Sequence, residues 1–392
     1  MDDNVKDKIN IGLIGCGGRL TGVAAPLVAG SDRIHVTAIC DPSERSVTEA
    51  KKQCNAPNAI VYDSHEALCA DESIDWVMIG SWNCFHTEHA ICALEAGKHV
   101  FCEKPLGINI EDCLKIKRAH EASNSIFAFG LVLRYTTLYN KINDILTSGE
   151  IGEIISMEFN ETLEFNHGGY IHQDWRRKTE YAGTHLLEKC CHDVDLVNWM
   201  IGSLASKVAS FGGCRFFTPE NKHHTDRIGK NKDGKTAFQS WYSSNNSPFN
   251  DDKDIVDHQV AILEYANGVR VSFHTNCCAG IPERRMYILG SEGAIRADLM
   301  TGQIETKRIG WDQPTIVHDA TGGGHGDGDV IMTKHLIATM TEGKPPLSTL
   351  EDGLIAATTC FAIDEALNKG TIVDLQTWWE LAEITPAPCH SV

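Results

Sequence analysis

The stretch INIGLIGCGGRL at residues 9–20 decides the fold of the first part of this chain. Its apolar run ends at Gly15, and further glycines precede a segment with helical periodicity. Gly15 permits a tight turn, while Gly17, with Gly18 and Arg19 after it, lets a pyrophosphate approach the N-terminus of a helix. The third position of the GxGxxG fingerprint holds leucine, so the motif is incomplete and is also compatible with a simple turn. The stretch predicts a dinucleotide-binding strand–turn–helix unit.

A carboxylate follows at the spacing that this fingerprint requires. Asp41 closes the next apolar run, HVTAIC, about 20 residues further on, where an acidic side chain binds the ribose hydroxyls. As an alternative, Asp41 caps the helix that begins near Pro42. An acidic group at this position repels the 2′-phosphate of NADP, which nearby Arg45 only partly offsets. We therefore expect NAD as the cofactor, with NADP less favoured.

Apolar runs alternate with helix-period segments through the first part of the chain. This alternation is typical of a doubly wound parallel sheet covered by helices, a Rossmann α/β domain that we predict over residues 1–145. Helices are predicted there over 86–96 and 110–123. The predicted strands are Ile9–Ile14, His35–Cys40, Ala59–Tyr62, Asp75–Gly80, His99–Cys102 and Ile126–Gly130.

The remaining chain, residues 146–392, predicts an α+β domain with a largely antiparallel sheet. Helices are predicted over 184–200 and 351–369. The polar segment 216–257, rich in asparagine, aspartate and lysine, is predicted to be a long loop or insertion. The predicted strands are Ile154–Glu161, Val260–Tyr265, Val269–His274, Arg285–Leu289 and Val373–Leu375.

The overall composition excludes several classes of function. The formal net charge of -18 argues against a nucleic-acid or anionic-membrane surface, since both need basic patches. The polar N-terminus does not resemble a signal peptide, and no run of about 18 apolar residues occurs, so we expect a cytoplasmic protein without membrane association. The 15 cysteines include no CxxC pair, which favours reduced, buried thiols.

Two short segments carry the candidate chemistry. FCEKP at 101–105 places Lys104 directly after a predicted strand. GTHLLEKCCHDVD at 183–195 places four polar side chains on one face of a predicted helix, at spacings of three, four and three: His185, Glu188, His192 and Asp195. Histidines and carboxylates at helical spacing are also metal ligands, but no independent third cluster of ligands accompanies them, so we expect no metal. In the alternative in which these segments form no active site, Lys104 is a surface lysine and His192 is a capped or core histidine.

These features together resemble the Gfo/Idh/MocA oxidoreductases, the group of glucose–fructose oxidoreductase and inositol dehydrogenase. The resemblance covers nearly the whole chain, and the EKP segment is its most specific mark. Softer marks are SWN with a following histidine at 81–86, ALEAGKHVFCEKP at 93–105, LRY at 133–135, SGEIGEI at 148–154 and LGSEGAIRADL at 289–299.

The resemblance implies roles for individual residues. Lys104 lies beside the nicotinamide and the substrate hydroxyl, with Glu103 near the carboxamide, and His192 accepts the hydroxyl proton as hydride leaves. Glu188 stands where the family usually has aspartate, so its extra methylene changes its reach and puts a direct catalytic role in question. The other cofactor contacts that the resemblance implies are Ser81, Trp82, Asn83 and His86.

Substrate recognition is assigned to two glycine-containing segments. HGGYIHQDWRR at 167–177 combines a turn with aromatic residues and arginines, and it predicts a lid over a hydroxylated or carboxylated ligand. GGGHGDGD at 322–329 supplies a further histidine, while its aspartates are equally compatible with capping the next helix. The candidate substrate residues are Tyr170, Trp175, Arg176, His192 and His325.

Three functions follow from these residues. The first is a dehydrogenase that transfers hydride between the nicotinamide and a secondary alcohol of a sugar, sugar acid or cyclitol. The alternative is an NAD-dependent glycoside hydrolase that works by transient oxidation and elimination, with Glu188 or Tyr170 as the additional acid/base. A nucleotide-sensing protein without catalysis fits poorly, because Lys104 and His192 are both present. The resemblance also implies a homodimer or homotetramer that associates through the sheet of the second domain.

Overall fold

The chain divides into two compact units in a computed structural model that describes residues 7–239 and 246–385. Unit 1 comprises Met1–Tyr135 and Asp327–Leu354, and unit 2 comprises Thr136–Gly326 and Ile355–Val392. The sequence analysis divided the chain only once, after residue 145, whereas the structure adds a late segment to unit 1. Such a return of the chain depends on three-dimensional contacts, which a change in local sequence pattern does not reveal.

Unit 1 contains a six-stranded parallel sheet with the strand order β3-β2-β1-β4-β5-β6. Its strands are β1 (Ile9–Ile14), β2 (Ile34–Cys40), β3 (Ile60–Val61), β4 (Trp76–Ile79), β5 (His99–Cys102) and β6 (Phe127–Phe129). All four residues of β4 are buried, as expected for a strand at the centre of a covered parallel sheet. This strand order is that of dinucleotide-binding folds, and it confirms the predicted doubly wound sheet.

Helices follow the strands of unit 1. They are α1 (Gly18–Gly30), α2 (Glu44–Gln53), α3 (His65–Cys69), α4 (His86–Glu95) and α5 (Ile110–Glu121). Polar caps begin three of them: Ser43, Ser64 and Asn109 each accept a hydrogen bond from a backbone N–H in the first turn. The helix Gly328–Glu342, numbered α11 in chain order, belongs to the late segment and packs against α1.

Unit 2 contains a nine-stranded sheet with the order β14-β13-β12-β11-β7-β10-β9-β8-β15. Its strands are β7 (Ile154–Glu164), β8 (Ala205–Gly213), β9 (His258–Tyr265), β10 (Arg270–Ala279), β11 (Arg285–Gly290), β12 (Gly293–Asp298), β13 (Gln303–Arg308), β14 (Ile316–Asp319) and β15 (Val373–Asp374). Only β7 and β10 pair in parallel, so the prediction of a largely antiparallel sheet is confirmed. The sequence analysis missed β8, β12, β13 and β14; β13 buries only two of its residues and therefore has a weak apolar pattern.

Apart from the helix Leu350–Lys369, most of which belongs to unit 2, the helices of this unit are short, and the one that carries His192 follows a π-helical turn. They are α6 (Thr137–Thr147), α7 (Phe165–Ile171), α8 (Thr179–Ala182), α9 (Cys191–Ile201), α10 (His223–Ile228) and α13 (Gln376–Leu381). The predicted helix over 184–200 is confirmed in its extent, but Leu186–Cys190 forms a π-helical turn that runs directly into α9. A π-helical turn widens the spacing of the side chains and is frequent at functional sites.

The polar segment 216–257 is not a plain loop where it is described. It contains α10 and a short β-bridge between Lys230 and Thr236. Its phenylalanines are buried in a hydrophobic cluster of unit 2. The Asp257 carboxylate accepts hydrogen bonds from the backbone N–H groups of Phe216 and Phe217 at 2.7 and 2.8 Å, which fixes the start of the segment. Residues 240–245 of the predicted loop lie outside the described residues.

The longest helix is α12, with 20 residues over Leu350–Lys369, and it begins with acidic side chains. Within residues 7–239 and 246–385, no helix combines the length and the apolar character that a membrane span needs.

Candidate active site

The glycine turn leaves open space over the N-terminus of α1. Gly15 has a φ of 73°, and a Cβ there would lie 2.4 Å from backbone atoms of Ser81, so this position requires glycine. Gly17 precedes α1 with extended backbone, and a Cβ on it would meet no heavy atom within 4 Å. The space beside Gly17 therefore suits a pyrophosphate, which the backbone N–H groups from Gly18 onward can bind.

Asp41 stands beside this turn at the end of β2. The backbone N–H of Gly15 donates to the Cys40 carbonyl at 2.9 Å, which holds the turn against the strand end. Burial and the nearby Asp41 carboxylate raise the pKa of the Cys16 thiol. The helix-cap alternative for Asp41 is wrong: Ser43 caps α2, and Asp41 accepts the Ser43 N–H at 2.8 Å in the turn before it. The carboxylate thus lies where a ribose contact is expected.

Arg19 binds two carboxylates of unit 1. Its Nε donates to Glu103 Oε1 at 2.7 Å and its Nη1 to Asp329 Oδ1 at 2.6 Å. Its Nη2 is buried and has no hydrogen-bond partner among the described residues. A buried donor without a protein partner beside an open helix N-terminus fits a bound phosphate oxygen. The residues present therefore fit a dinucleotide, with Gly17 and Arg19 placed to hold its pyrophosphate.

His86 ties the loop after β4 to the EKP segment. Its Nδ1 lies 2.7 Å from the Pro105 carbonyl oxygen, and its Nε2 lies 3.2 Å from the Ser81 carbonyl oxygen. The ring is fully buried, and burial lowers its pKa. Because both ring nitrogens face backbone carbonyls, the structure places His86 as a support for this loop and for the neighbouring Lys104.

The other predicted cofactor residues of unit 1 lie along one edge of the sheet. The carboxyl ends of parallel strands meet at one edge, so β1, β4 and β5 bring Gly15, Ser81 and Lys104 to the same side. Asn83 is buried, whereas Trp82 is 43% exposed, and Lys104 is half-buried directly after β5. The structure thus groups the residues that the sequence analysis assigned to the cofactor.

The π-helical turn follows His185, the first of the polar residues that the sequence analysis placed on one helical face. His185 turns into the interior of unit 2, where its Nε2 lies 3.4 Å from Cys277 Sγ. Burial lowers the pKa of His185 to about 4, so this histidine is a neutral core residue. In the part of the chain that the structure describes, its ligand atoms do not converge with those of Glu188 and His192 on a metal position.

Glu188 is bound by Arg176 of the segment 167–177. The Arg176 Nε donates to Glu188 Oε1 at 3.0 Å, and its Nη1 donates to Tyr170 Oη and to Asp174 Oδ2, both at 2.7 Å. The guanidinium also lies over the Trp175 ring, 4.3 Å from its centroid. The three predicted substrate residues of this segment therefore form one cluster with Glu188. Glu188 and Asp174 thus place two carboxylates on the Arg176 guanidinium.

His192 lies at the start of α9 with His325 beside it. The two ring centroids are 6.1 Å apart, and the rings meet edge to face at 66°. His325 comes from the glycine-rich segment 322–329, so the structure brings together two predicted site residues that are far apart in sequence. Two imidazoles at this distance can share the work of accepting a proton and of orienting a hydroxyl group.

A buried arginine holds both of the segments that carry these histidines. Arg284 Nε and Nη2 donate to the two carboxylate oxygens of Asp193 at 2.8 and 2.7 Å. Its Nη1 donates to the Gly324 carbonyl at 3.2 Å. Asp193 directly follows His192 in the chain, and Gly324 directly precedes His325. Arg284 therefore holds both segments that carry the histidine pair.

Two further charges complete this buried network. Glu161 pairs with Arg284, and Lys189 Nζ lies 3.4 Å from Glu161 Oε1. Two cations and two anions therefore balance one another in the interior of unit 2, as buried charges require. Burial raises the pKa of Asp193 to about 7, although the charge of Arg284 opposes the shift. The sequence analysis missed this network; its one available signal was a glutamate, Glu161, at an inward position of the predicted strand β7.

The parallel sheet, the open glycine turn and the acidic end of β2 define a dinucleotide-binding protein. Residues 9–131 match the family described as "Oxidoreductase family, NAD-binding Rossmann fold", and residues 144–375 match its "C-terminal alpha/beta domain". The chain belongs to the Gfo/Idh/MocA family of oxidoreductases, which confirms the predicted family. Its cofactor is accordingly a nicotinamide dinucleotide.

Characterised relatives and solved structures show similarity over different shares of the chain. The chain is 31% identical to inositol 2-dehydrogenase of Gluconacetobacter diazotrophicus, over a region that covers 49% of this chain and 54% of that protein. It is 24% identical to 2,7-anhydro-N-acetylneuraminate hydratase of Escherichia coli (strain K12), over 79% of this chain and 73% of that protein. Levoglucosan dehydrogenase in complex with NADH and levoglucosan superposes with a TM-score of 0.77 at 20% identity, over 94% of this chain and 100% of that chain. At that identity the structural likeness shows a common fold.

Proposed function

We propose that this chain is an NAD-dependent dehydrogenase that oxidises a secondary alcohol on the ring of a sugar, sugar acid or cyclitol. The observation that carries the proposal is the pair formed by His192 and His325 within a chain of this NAD-binding family. The pair supplies the proton acceptor that oxidation of an alcohol needs. The names of two similar proteins, inositol 2-dehydrogenase and levoglucosan dehydrogenase, refer to a cyclitol and a sugar derivative and support the substrate class.

The residues of the chain divide the work of this reaction. His192 accepts the proton of the substrate hydroxyl, and His325 orients that hydroxyl. The role proposed for Lys104 is to stabilise the negative charge that develops on the substrate oxygen as the carbonyl forms. When bound, the nicotinamide supplies the hydride acceptor. Arg284 and His86 contact neither substrate nor cofactor in this scheme; they hold the histidine pair and the EKP segment in place.

The choice of NAD over NADP rests on Asp41. Its carboxylate stays beside the glycine turn because the Ser43 N–H holds one of its oxygens. A negative charge there favours two ribose hydroxyls and repels a 2′-phosphate. Arg45, the nearby cation, is exposed to solvent, where its charge offsets little of that repulsion.

The substrate class narrows further at the cluster around Arg176. Its guanidinium already binds Glu188 and Asp174, so a substrate carboxylate would have to compete with two resident carboxylates. A neutral sugar or cyclitol instead offers hydroxyl groups that can donate to these carboxylates. We therefore place neutral polyols above sugar acids as substrates.

Substitutions in each unit test this assignment. His192→Ala and Lys104→Ala should each lower kcat by about 10²–10⁴-fold, the usual size of an acid–base contribution. The dissociation constant for NAD should stay within about twofold of the native value, since neither change touches Gly17 or Arg19. His223→Ala, an exposed histidine on α10, is the matched control and should leave turnover unchanged. Full activity in His192→Ala would refute the proposed role of the pair.

A second candidate function is hydrolysis or elimination through transient oxidation of a sugar. The similarity to the 2,7-anhydro-N-acetylneuraminate hydratases of Escherichia coli and Mediterraneibacter gnavus favours it. Such a reaction needs an additional acid/base. Arg176 binds both groups that the sequence predicts for this role, Glu188 and Tyr170. His325 is the better candidate, because it stands beside His192.

The state of the cofactor separates the two functions. A dehydrogenase accumulates NADH when one alcohol from a panel of sugars, cyclitols and glycosides is added. An elimination enzyme keeps its NAD through the cycle, releases product and shows no net change of absorbance at the NADH band. Cofactor released by denaturation of the purified protein, identified as NAD or NADP, tests the role of Asp41 in the same experiment.

We further propose a homodimer or homotetramer that assembles on the large sheet in a reducing compartment such as the cytoplasm. Ile262 and Tyr287 lie in one register row of that sheet and are exposed, and Phe211 on the same face is 69% exposed. The cysteines within the described residues are all free thiols, which fits a reducing compartment. Light scattering coupled to gel filtration measures the assembly; a monomer at micromolar concentration would contradict it.

A further inference from the structure

Unit 1 holds a second cluster of ligand-type side chains that the hydride-transfer chemistry does not use. One donor atom each of His65, Glu88 and His89 lies within 4.8 Å of the other two. Across residues 7–239 and 246–385, this is the one group of three such side chains that meets this distance. His65 is the first residue of α3, and Glu88 and His89 lie at the start of α4. The backbone under the cluster is fixed, because the Ser64 hydroxyl caps α3.

The two imidazoles face one another in an orientation that suits a shared ligand. Their ring centroids are 4.5 Å apart. His89 Nδ1 lies 2.9 Å from Ser81 Oγ, which leaves Nε2 on the cluster side, 3.5 Å from Glu88 Oε1. Metal-binding histidines are usually held in this way, with the second ring nitrogen hydrogen-bonded outside the metal site. Glu66 Oε2, 3.5 Å from His65 Nδ1, is placed to orient the other ring in the same manner.

We propose that His65, Glu88 and His89 bind a divalent transition-metal ion, best matched by Zn²⁺. Two ligand atoms bound to tetrahedral zinc lie about 3.4 Å apart, since each bond is about 2.0–2.1 Å long. The 3.5 Å between His89 Nε2 and Glu88 Oε1 already meets this spacing. The ligand atom of His65 lies within 4.8 Å of the other two and has to approach by up to about 1.4 Å, which a half-buried ring at a helix start can do by rotation. A water molecule would complete the four-coordinate set.

The chemistry of the donors selects the metal. Two imidazole nitrogens and one carboxylate suit Zn²⁺, Co²⁺ or Ni²⁺, whereas Mg²⁺ and Ca²⁺ need sets made of oxygen ligands. The site reaches the loop after β4 through Ser81, so a bound ion would also stiffen that loop.

A metal titration tests the proposal without reference to catalysis. The full chain, stripped with a chelator, is titrated with Zn²⁺ against a chromophoric competitor, and the native protein should bind one equivalent. His65→Ala should lose that equivalent, and Ser81→Ala should weaken it by about 10–100-fold, the usual effect of removing an outer hydrogen bond. Glu88→Gln changes an exposed side chain and keeps the fold, so weaker binding in this variant reports lost ligation alone.

Control variants separate this site from adventitious binding. His223→Ala alters an exposed pair whose rings are 4.2 Å apart, and Cys92→Ser removes a thiol of α4; both should retain the equivalent. Substituted Co²⁺ should show a spectrum of nitrogen and oxygen ligands without thiolate absorption. Equal zinc binding by native protein, His65→Ala and Glu88→Gln would overturn the proposal, as would a native protein that binds no equivalent. In that outcome His65 and His89 are a packed pair of rings without a metal, and the proposed dehydrogenase function is unaffected.

Discussion

Replacing Arg284 by methionine should lower the free energy of unfolding of unit 2 by about 3–5 kcal/mol at pH 8. Arg284 is 3% exposed, and its guanidinium pairs with Asp193 and Glu161, which are also buried. Methionine fills most of the same apolar volume but leaves two buried carboxylates without this cation. Lys189 still lies 3.4 Å from Glu161, so the loss should fall at the lower end, about 3 kcal/mol.

The loss should be smaller at pH 6. Burial raises the pKa of Asp193 to about 7, so below that pH the folded carboxyl carries a proton and needs no cation. Without Arg284 the folded-state pKa of Asp193 rises further, whereas the unfolded carboxyl stays ionised at both pH values. The folded-state pKa of Asp193 is thus lower in the native protein than in the variant. For each pH unit between these two pKa values, the substitution therefore destabilises the protein by about a further 1.4 kcal/mol.

Urea unfolding at pH 6 and pH 8, with thermal scans, measures both effects. The matched control is Arg285→Met, because the adjacent Arg285 is one-third exposed and pairs with Glu158 at the surface, where ion pairs contribute about 0–1 kcal/mol. A loss of about 3 kcal/mol corresponds to a fall in Tm of about 6 °C or more. If Arg284→Met and Arg285→Met differ by less than about 1 kcal/mol at pH 8, the reasoning on buried charge is refuted.

Further substitutions test the cofactor turn, the arginine cluster and a buried carboxyl. Gly17→Ala should keep stability within about 0.5 kcal/mol, since its Cβ meets no atom, yet weaken NAD binding about tenfold in a titration; unchanged affinity would contradict the pyrophosphate placement. Gly15→Ala should lose both stability and NAD binding in the same assays, because its Cβ would lie 2.4 Å from backbone atoms. Glu188→Gln removes one anion from Arg176, so the kcat/KM ratio of sugar acids to neutral sugars should rise about tenfold; an unchanged ratio would argue against the preference for neutral polyols. Burial raises the pKa of Asp364 to about 6, so its contribution to stability is present below about pH 4 and is lost as pH rises through 6. In Asp364→Asn, urea unfolding should show no such decline, and a slope equal to that of the native protein would exclude this carboxyl as its source.

The dinucleotide-binding half could be predicted closely from sequence because its signals are local. The strands Ile9–Ile14 and His99–Cys102 agree residue for residue with the prediction, since each is an apolar run bounded by turn residues. The glycine turn was recognisable because Gly15 needs a positive φ that other residues rarely adopt. In unit 2 the signals are weaker: β13, the strand next to the edge strand β14, buries few residues, and the polar segment 216–257 contains buried phenylalanines.

The candidate site was predictable residue by residue but not as a set of contacts. His192, His325 and Arg176 were singled out from motifs, while the contacts that they make and the supporting Arg284 were not. The four-residue spacing of Glu188 and His192 predicted the face of a regular α-helix, but Glu188 lies in a π-helical turn and His192 in α9. The periodicity of polar residues along the sequence does not indicate a π-helical turn, because such a turn depends on how this part of the chain packs against the sheet.

The sequence by itself determined the parallel sheet, its glycine turn, the acidic end of β2 and the residue types available for chemistry. These follow from periodicity and from backbone requirements that act within a few residues. Only the tertiary structure decided which charges are paired: Arg176 with Glu188, Arg19 with Glu103, and Arg284 with Asp193. Charged partners that lie far apart in sequence are brought together by strand register and packing, and the same packing decides whether each charge is buried or exposed. No local sequence pattern encodes these long-range contacts.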